Sequence, residues 1–171
     1  MNTNYNFINM RKLLFASLMA IVAVITASCG GSSPSTDIPE GMELVHGEFS
    51  VRITQEFIGV DAKDCNIVYA FSGGDGISDG IYDAVTGEDM GMAFVLSGEQ
   101  TRKTQLSYRT GKTGVFLMFA VKMIMQNGAE GMVNVTMDFY LDGKPLGTET
   151  AAMTGEYGPV TFGSDKWVNK E

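Results

Sequence analysis

The nine residues Val133–Leu141, VNVTMDFYL, alternate apolar and polar side chains without a break. Val133, Val135, Met137, Phe139 and Leu141 fall on one side of an extended chain, and Asn134, Thr136, Asp138 and Tyr140 fall on the other. A period of two marks a strand with one face on a core and one in water. The stretch runs into Asp142-Gly143-Lys144, a hairpin turn in which Gly143 supplies a positive φ and Asp142 tolerates one.

The same period recurs upstream. In GEFSVRIT, Phe49, Val51 and Ile53 share one face and Ser50, Arg52 and Thr54 the other, while DCNIVYAF groups Cys65, Ile67, Tyr69 and Phe71. VFLMFAVKMIM, Val115–Met125, is apolar on both faces except at Lys122, which fits a central strand flanked by Gly-containing turns. A buried helix is the alternative for that stretch. Short strands separated by turns every 8–12 residues or so predict an all-β fold, an immunoglobulin-like β-sandwich of about seven or more antiparallel strands.

Charge narrows the function classes. The chain has 171 residues, with 12 Lys+Arg against 20 Asp+Glu and a net charge of −8. It has no basic patch to neutralise phosphates, so no nucleic-acid partner is expected. With 44% apolar residues, 21 Gly and 4 Pro, it has the composition of a folded core with many turns.

The N-terminal region has its own logic. Arg11 and Lys12 precede Leu13–Ser28, an apolar or small run too short for a spanning helix, which needs about 20 apolar residues. This is the pattern of a secretory signal peptide, with either Met1 or Met10 as the start. Thr26-Ala27-Ser28-Cys29 resembles the signal of bacterial lipoproteins, in the looser form found in Bacteroidota, with Thr26 where Leu is usual. The resemblance implies cleavage between Ser28 and Cys29 and lipid attachment at the Cys29 sulfur. At about 0.8 kcal/mol per buried methylene, two or three acyl chains make such an anchor effectively permanent. The expected organisation is a signal peptide over 1–28, a lipidated cysteine and Gly/Ser-rich tether over 29–41, and a sandwich domain over 42–171. Gly30, in place of an Asp that resembles an inner-membrane retention signal, points to the outer membrane. The lack of acids immediately after Cys29 points to its periplasmic leaflet.

No cofactor is implied. Gly111-Lys112-Thr113 lacks the preceding glycine of a phosphate loop, because position 106 is Leu, and RTGKTG, Arg109–Gly114, reads as a hairpin loop. GGDGISDG, Gly73–Gly80, sets Asp75 and Asp79 in a glycine-rich loop and makes them weak calcium candidates, with Asp83, Glu88 and Asp89 nearby. Calcium takes 6–8 oxygen ligands, so the better reading is a long turn between strands. His46 is the only histidine, which excludes an imidazole-built metal site and leaves catalysis without a marked base. Asn134-Val135-Thr136 matches a glycosylation sequon, without meaning on a bacterial strand. Cys65 reads as a small hydrophobe in the core. Tyr82, Tyr108, Tyr140, Tyr157 and Trp167 are the aromatics that would stack on sugars if displayed together, and the period places Tyr140 outward.

Val133–Gly158 resembles the C-terminal part of small exported proteins of the mycobacterial "membrane protein small" type and related Bacteroidota lipoproteins. The match rests on Asp142-Gly143-Lys144 and on Gly155, Tyr157 and Gly158. It covers about a quarter of the chain beyond Cys29 and lacks the Pro-Trp pair of that family. The resemblance implies a β-sandwich accessory module. The resulting expectation is a non-catalytic, lipid-anchored module of the cell envelope with a protein or glycan partner, the alternative being a carbohydrate-binding lipoprotein. Clustered outward aromatics beside a groove would favour the glycan, and an apolar patch or open sheet edge the protein.

Overall fold

Val133, Val135, Met137 and Phe139 are all buried, while Asn134, Thr136, Asp138 and Tyr140 stay in contact with solvent. The strand is therefore two-faced, with Leu141 reaching only the rim of the core. These observations come from a computed structural model that describes residues 45–168. The expected signal peptide, with Ser28 and Cys29, and the expected tether lie outside the described residues.

Among the described residues the chain forms β1 (Phe49–Ile58), β2 (Cys65–Gly74), β3 (Ile81–Asp83), β4 (Asp89–Gly91) and β5 (Ala93–Ser97). It continues with β6 (Gln105–Thr110), β7 (Phe116–Met125), β8 (Met132–Leu141), β9 (Lys144–Met153) and β10 (Glu156–Gly163), then a short helix α1 (Asp165–Val168). One sheet has six strands in the order β4-β3-β6-β1-β8-β9, the other four in the order β10-β7-β2-β5. Every pairing is antiparallel. The fold is an all-β sandwich. Only β3–β4 and β8–β9 are neighbours in both sequence and sheet, so most connections carry the chain from one sheet to the other.

One local expectation is corrected here. Arg109–Gly114 is not a hairpin loop, because β6 has β3 and β1 as neighbours whereas β7 has β10 and β2. The reason is burial. Leu106 and Tyr108 enter the core from the six-stranded sheet, and Leu117 and Phe119 enter it from the four-stranded sheet opposite. The segment between them therefore spans the gap between the sheets.

The inner faces meet through aromatic rings. Phe119 of β7 stacks on Phe139 of β8 across the gap, with centroids 6.2 Å apart and an interplanar angle of 13°. Tyr69 meets Phe119 edge-on at 5.9 Å, and Phe162 closes the other side at 5.7 Å. Each fully buried Phe contributes about 1.5–3 kcal/mol of transfer free energy. β7 is central, as its two-sided apolar character predicts, and Cys65 is buried at the start of β2. The turn after β8 forms as read, with Asp142 at φ 51° and Gly143 at φ 73°, the pair of positive values that a type I′ hairpin requires.

Candidate functional site

Three surfaces position polar or open groups. The first is the loop end of the sandwich around Asp75 and Asp79. Asp75 Oδ1 accepts the backbone N–H groups of Ile77, Ser78 and Asp79, each at 2.8 Å, and its Oδ2 accepts the Ser78 hydroxyl. The N–H groups of Asp79, Ile77 and Ser78, in that order of effect, hold the Asp75 carboxyl far below the ordinary Asp value. Asp79 Oδ2 accepts both the N–H and the hydroxyl of Thr113, at 3.2 and 3.1 Å. Gly111 presses against the Asp79 carboxylate so closely that any Cβ there would collide with it. His46 Nδ1 stands 3.3 Å from the Thr113 carbonyl oxygen, on the exposed side.

The structure thus brings together Asp75, Asp79, Thr113 and His46, residues the sequence scatters. It does not bring in Asp83, whose carboxylate caps its own turn through the N–H groups of Val85 and Thr86. Burial alone would push the Asp83 carboxyl up, and those N–H groups outweigh it, so the net direction is down. Asp89 likewise accepts the N–H of Gly91. Asp75, Asp79, Asp83 and Asp89 thus each spend at least one carboxylate oxygen on a loop hydrogen bond. Among the described residues, no three or more His, Cys, Asp or Glu side chains converge as a metal group.

The second surface is the outer face of the six-stranded sheet. Register places Tyr82, Arg109, Ser50 and Tyr140 in one row across β3, β6, β1 and β8. The next row holds Ser107, Arg52, Asp138 and Thr148. Arg52 donates to Asp138 at 3.0 Å and to the Tyr140 oxygen at 2.9 Å, and its guanidinium lies 5.8 Å from the Tyr140 ring centroid. Arg109 pairs with Glu48 at 3.3 Å and lies 5.2 Å from the Tyr82 centroid. The other aromatics go elsewhere: Tyr108 is in the core, and Tyr157 and Trp167 pack against it. Outward aromatics are therefore two, separated by β6 and β1, and each is paired with an arginine. Neither arginine was singled out as functional from sequence. The signal was their outward place in SVRIT and SYRT, but their adjacency belongs to the β1–β6 register.

The third surface is the free edge of β5. Ala93–Ser97, AFVLS, has no charged residue and no proline, and Val95 and the preceding Met92 are 40% and 45% exposed. The other edges are guarded. β9 carries Lys144, Pro145 and an inward-turned Glu149 held by Lys166 at 2.7 Å, β10 carries Glu156 and Pro159, and β4 is three residues long with Asp89 on it.

The architecture is that of an all-β sandwich domain, with no assembled group of three or more His, Cys, Asp or Glu side chains among the described residues. Neither a family of known proteins nor a curated protein matches the chain by sequence. Solved structures do match by shape. A DUF4425 family protein from Bacteroides ovatus superposes with TM-score 0.55 at 17% identity, covering 70% of this chain and 92% of that one. A DUF4425 domain of unknown function from Bacteroides vulgatus gives 0.55 at 15% identity, over 71% and 94%. The calcium-bound form of a protein from Parabacteroides distasonis gives 0.53 at 17% identity, over 75% and 98%. At these identities the likeness is one of fold, shared with proteins of Bacteroides and Parabacteroides.

Proposed function

We propose that the chain is a lipid-anchored, non-catalytic module of the cell envelope that receives an extended segment of a protein partner along the β5 edge. The observation that carries this reading is that β5 is the one unguarded sheet edge among the described residues. A strand edge offers unpaired N–H and C=O groups, and adding a strand is a standard mode of peptide recognition. An incoming uncharged strand would cover Val95 on one side and the rim around Phe94 on the other. The anchor is supported by Leu13–Ser28 ending at Cys29, and the outer membrane, periplasmic leaflet, by the residues that follow.

Two substitutions test the two halves separately. Cys29→Ala is expected to abolish labelling by a fatty-acid analogue and release the protein from membranes; retained label would overturn the anchor. Val95→Lys is expected to remove a native complex seen by gel electrophoresis of solubilised envelopes, whereas Thr136→Lys on the opposite sheet leaves it. Equal behaviour of the two variants would overturn the β5 reading.

A second reading is calcium binding at the Asp75–Asp79 loop, favoured by the calcium-bound neighbour of the same fold. An ion there would draw on Asp79 oxygens now shared with Thr113, plus carbonyls and water, which places it in the weak class of extracellular sites, about 0.1–1 mM. Calcium titration followed on the amides of Ile77, Asp79 and Thr113 tests it. Saturable shifts lost in Asp79→Asn support the site, and unchanged amides up to about 10 mM remove it.

A further inference from the structure

Arg52 and Arg109 are diagonal neighbours on the outer face of the six-stranded sheet. Arg52 stands opposite Ser107 and Ser50 opposite Arg109, so the two arginines are offset by two residues on adjacent strands, about 7–8 Å apart at Cα. We infer that this face binds an anionic saccharide, with the two guanidinium groups taking its carboxylate or phosphate oxygens and the surrounding side chains taking its hydroxyl groups. The site is separate from the β5 edge and independent of what binds there.

Arg52 is paired with Asp138 and Arg109 with Glu48, and Glu56 follows on the outward row of β1, so what sets the two arginines apart is their open N–H donors side by side rather than a net positive charge. The third arginine of the described residues, Arg102, lies in the 3-10 turn Gly98–Arg102, off this face. Each guanidinium is steadied by one acid yet only partly used. Arg52 makes both its contacts, to Asp138 and Tyr140, through Nη2, and Arg109 reaches Glu48 and the Thr110 carbonyl through Nη1. Nε and Nη1 of Arg52, and Nε and Nη2 of Arg109, have no protein acceptor among the described residues. An arginine fork with two open N–H groups suits a planar or tetrahedral oxyanion. The side chains are 49% and 34% exposed, so the forks are reachable from solvent.

The rest of the face selects the ligand class. Thr54, Thr136 and Gln105 continue the outward rows beyond the arginines, adding hydroxyl and amide groups and no lysine. A protein interface needs an apolar centre, which these rows lack. A saccharide needs a spread of short donors and acceptors on a flat support, with aromatic borders, and Tyr82 and Tyr140 flank the arginines. Because guanidinium groups cover the tyrosine rings, recognition rests on hydrogen bonds and charge rather than on ring stacking.

The test uses the full lipid-anchored chain in detergent, titrated calorimetrically with tetragalacturonate, with a phosphorylated mannose oligosaccharide and with neutral maltotetraose. Saturable binding of either acidic probe, absent for maltotetraose and weakened by salt, is the expected result, and which acid binds identifies the oxyanion. The R52Q/R109Q double variant is expected to lower affinity about tenfold or more with Tm unchanged, because each removes charge-assisted hydrogen bonds. Val95→Lys should leave saccharide binding intact, which separates this site from the β5 reading. No binding of either acidic probe at millimolar concentration, equal binding of maltotetraose, or undiminished binding by the double variant would each overturn the inference.

Discussion

Tyr69 Oη donates to Gln55 Oε1 at 3.0 Å inside the apolar core. Gln55 passes the connection on, its Nε2 donating to the carbonyls of Thr101 and Lys103 at 3.0 and 2.7 Å. Thr101 in turn donates its hydroxyl to the Ile67 and Gly98 carbonyls. A strand of each sheet and the turn between β5 and β6 are thereby tied through one buried amide. Burial pushes the Tyr69 hydroxyl well above its ordinary pKa, so it remains a donor throughout the physiological range.

Tyr69→Phe should cost about 1–3 kcal/mol, because it leaves Gln55 Oε1 buried without a donor. Urea unfolding measures this, and a change within error of zero would show that the bond carries no net stability. Gln55→Ala should also release the turn Gly98–Arg102, read as faster amide exchange there than in β8.

Asp75 predicts how the loop end answers to acid. Its folded-state carboxyl lies below the ordinary Asp value near 3.9, so its contribution is full above that value and is lost only as pH falls through the lower, folded one. The Ile77, Ser78 and Asp79 amide resonances should keep their positions down to about pH 3.9 and move only below it. In Asp75→Ala the same amides should exchange faster at neutral pH, with little change in Tm because the group is exposed. Amides that move together with ordinary surface carboxylates would refute the loop assignment.

Much of the fold was legible because the informative strands have one dry face or two. Val133–Leu141 and Phe49–Ile53 declare themselves by alternation, and Val115–Met125 by apolar side chains on both faces, a feature of the middle of a sheet. The turn at Asp142-Gly143 was legible because two consecutive positive φ values leave few residue choices. β3 and β4 were not, since three residues hold no period. Nor does any local pattern distinguish a hairpin from a crossing between sheets, and for that reason the crossing at Arg109–Gly114 is not legible in the sequence. For the candidate sites, the sequence marked Asp75 and Asp79 by their glycine-rich surroundings, whereas Arg52 and Arg109 meet only through a register between residues 57 positions apart. A short-range pattern cannot carry such a pairing.

Gly147 gives a prediction of close packing. Phe139 of β8 stands opposite Gly147 of β9, and the Trp167 ring lies against Phe139 at 4.9 Å. A Cβ at residue 147 would fall on the Trp167 ring, so the indole occupies the space that the missing side chain leaves. Gly147→Ala should therefore expel or tilt Trp167 and cost about 1–3 kcal/mol by overpacking. Trp167 is the only tryptophan of the chain, so the change is read directly as a red shift and altered quenching of its fluorescence. An unshifted spectrum with unchanged stability would mean that the ring does not rest on Gly147 in solution.

Cys65 gives a prediction about reactivity that also tests the β2–β7 pairing. It lies opposite Met125 at the start of β2, 3% exposed. Burial, and then the charges of Asp64 and Asp61, push its thiol above the ordinary value. The thiolate is the reactive form, so both access and ionisation protect it. In the Cys29→Ala chain Cys65 is the sole thiol, and a thiol-reactive disulfide dye should label it slowly in the native state and at once in denaturant. Because the folded value is raised, the stability contribution is full below the thiol's unfolded pKa and falls as pH rises through the folded one. Native labelling should therefore accelerate with alkaline pH faster than thiolate formation alone requires, as opening adds to ionisation. Rapid stoichiometric labelling at neutral pH would show that the start of β2 is open, and would leave Cys65 as a surface thiol rather than a member of the core.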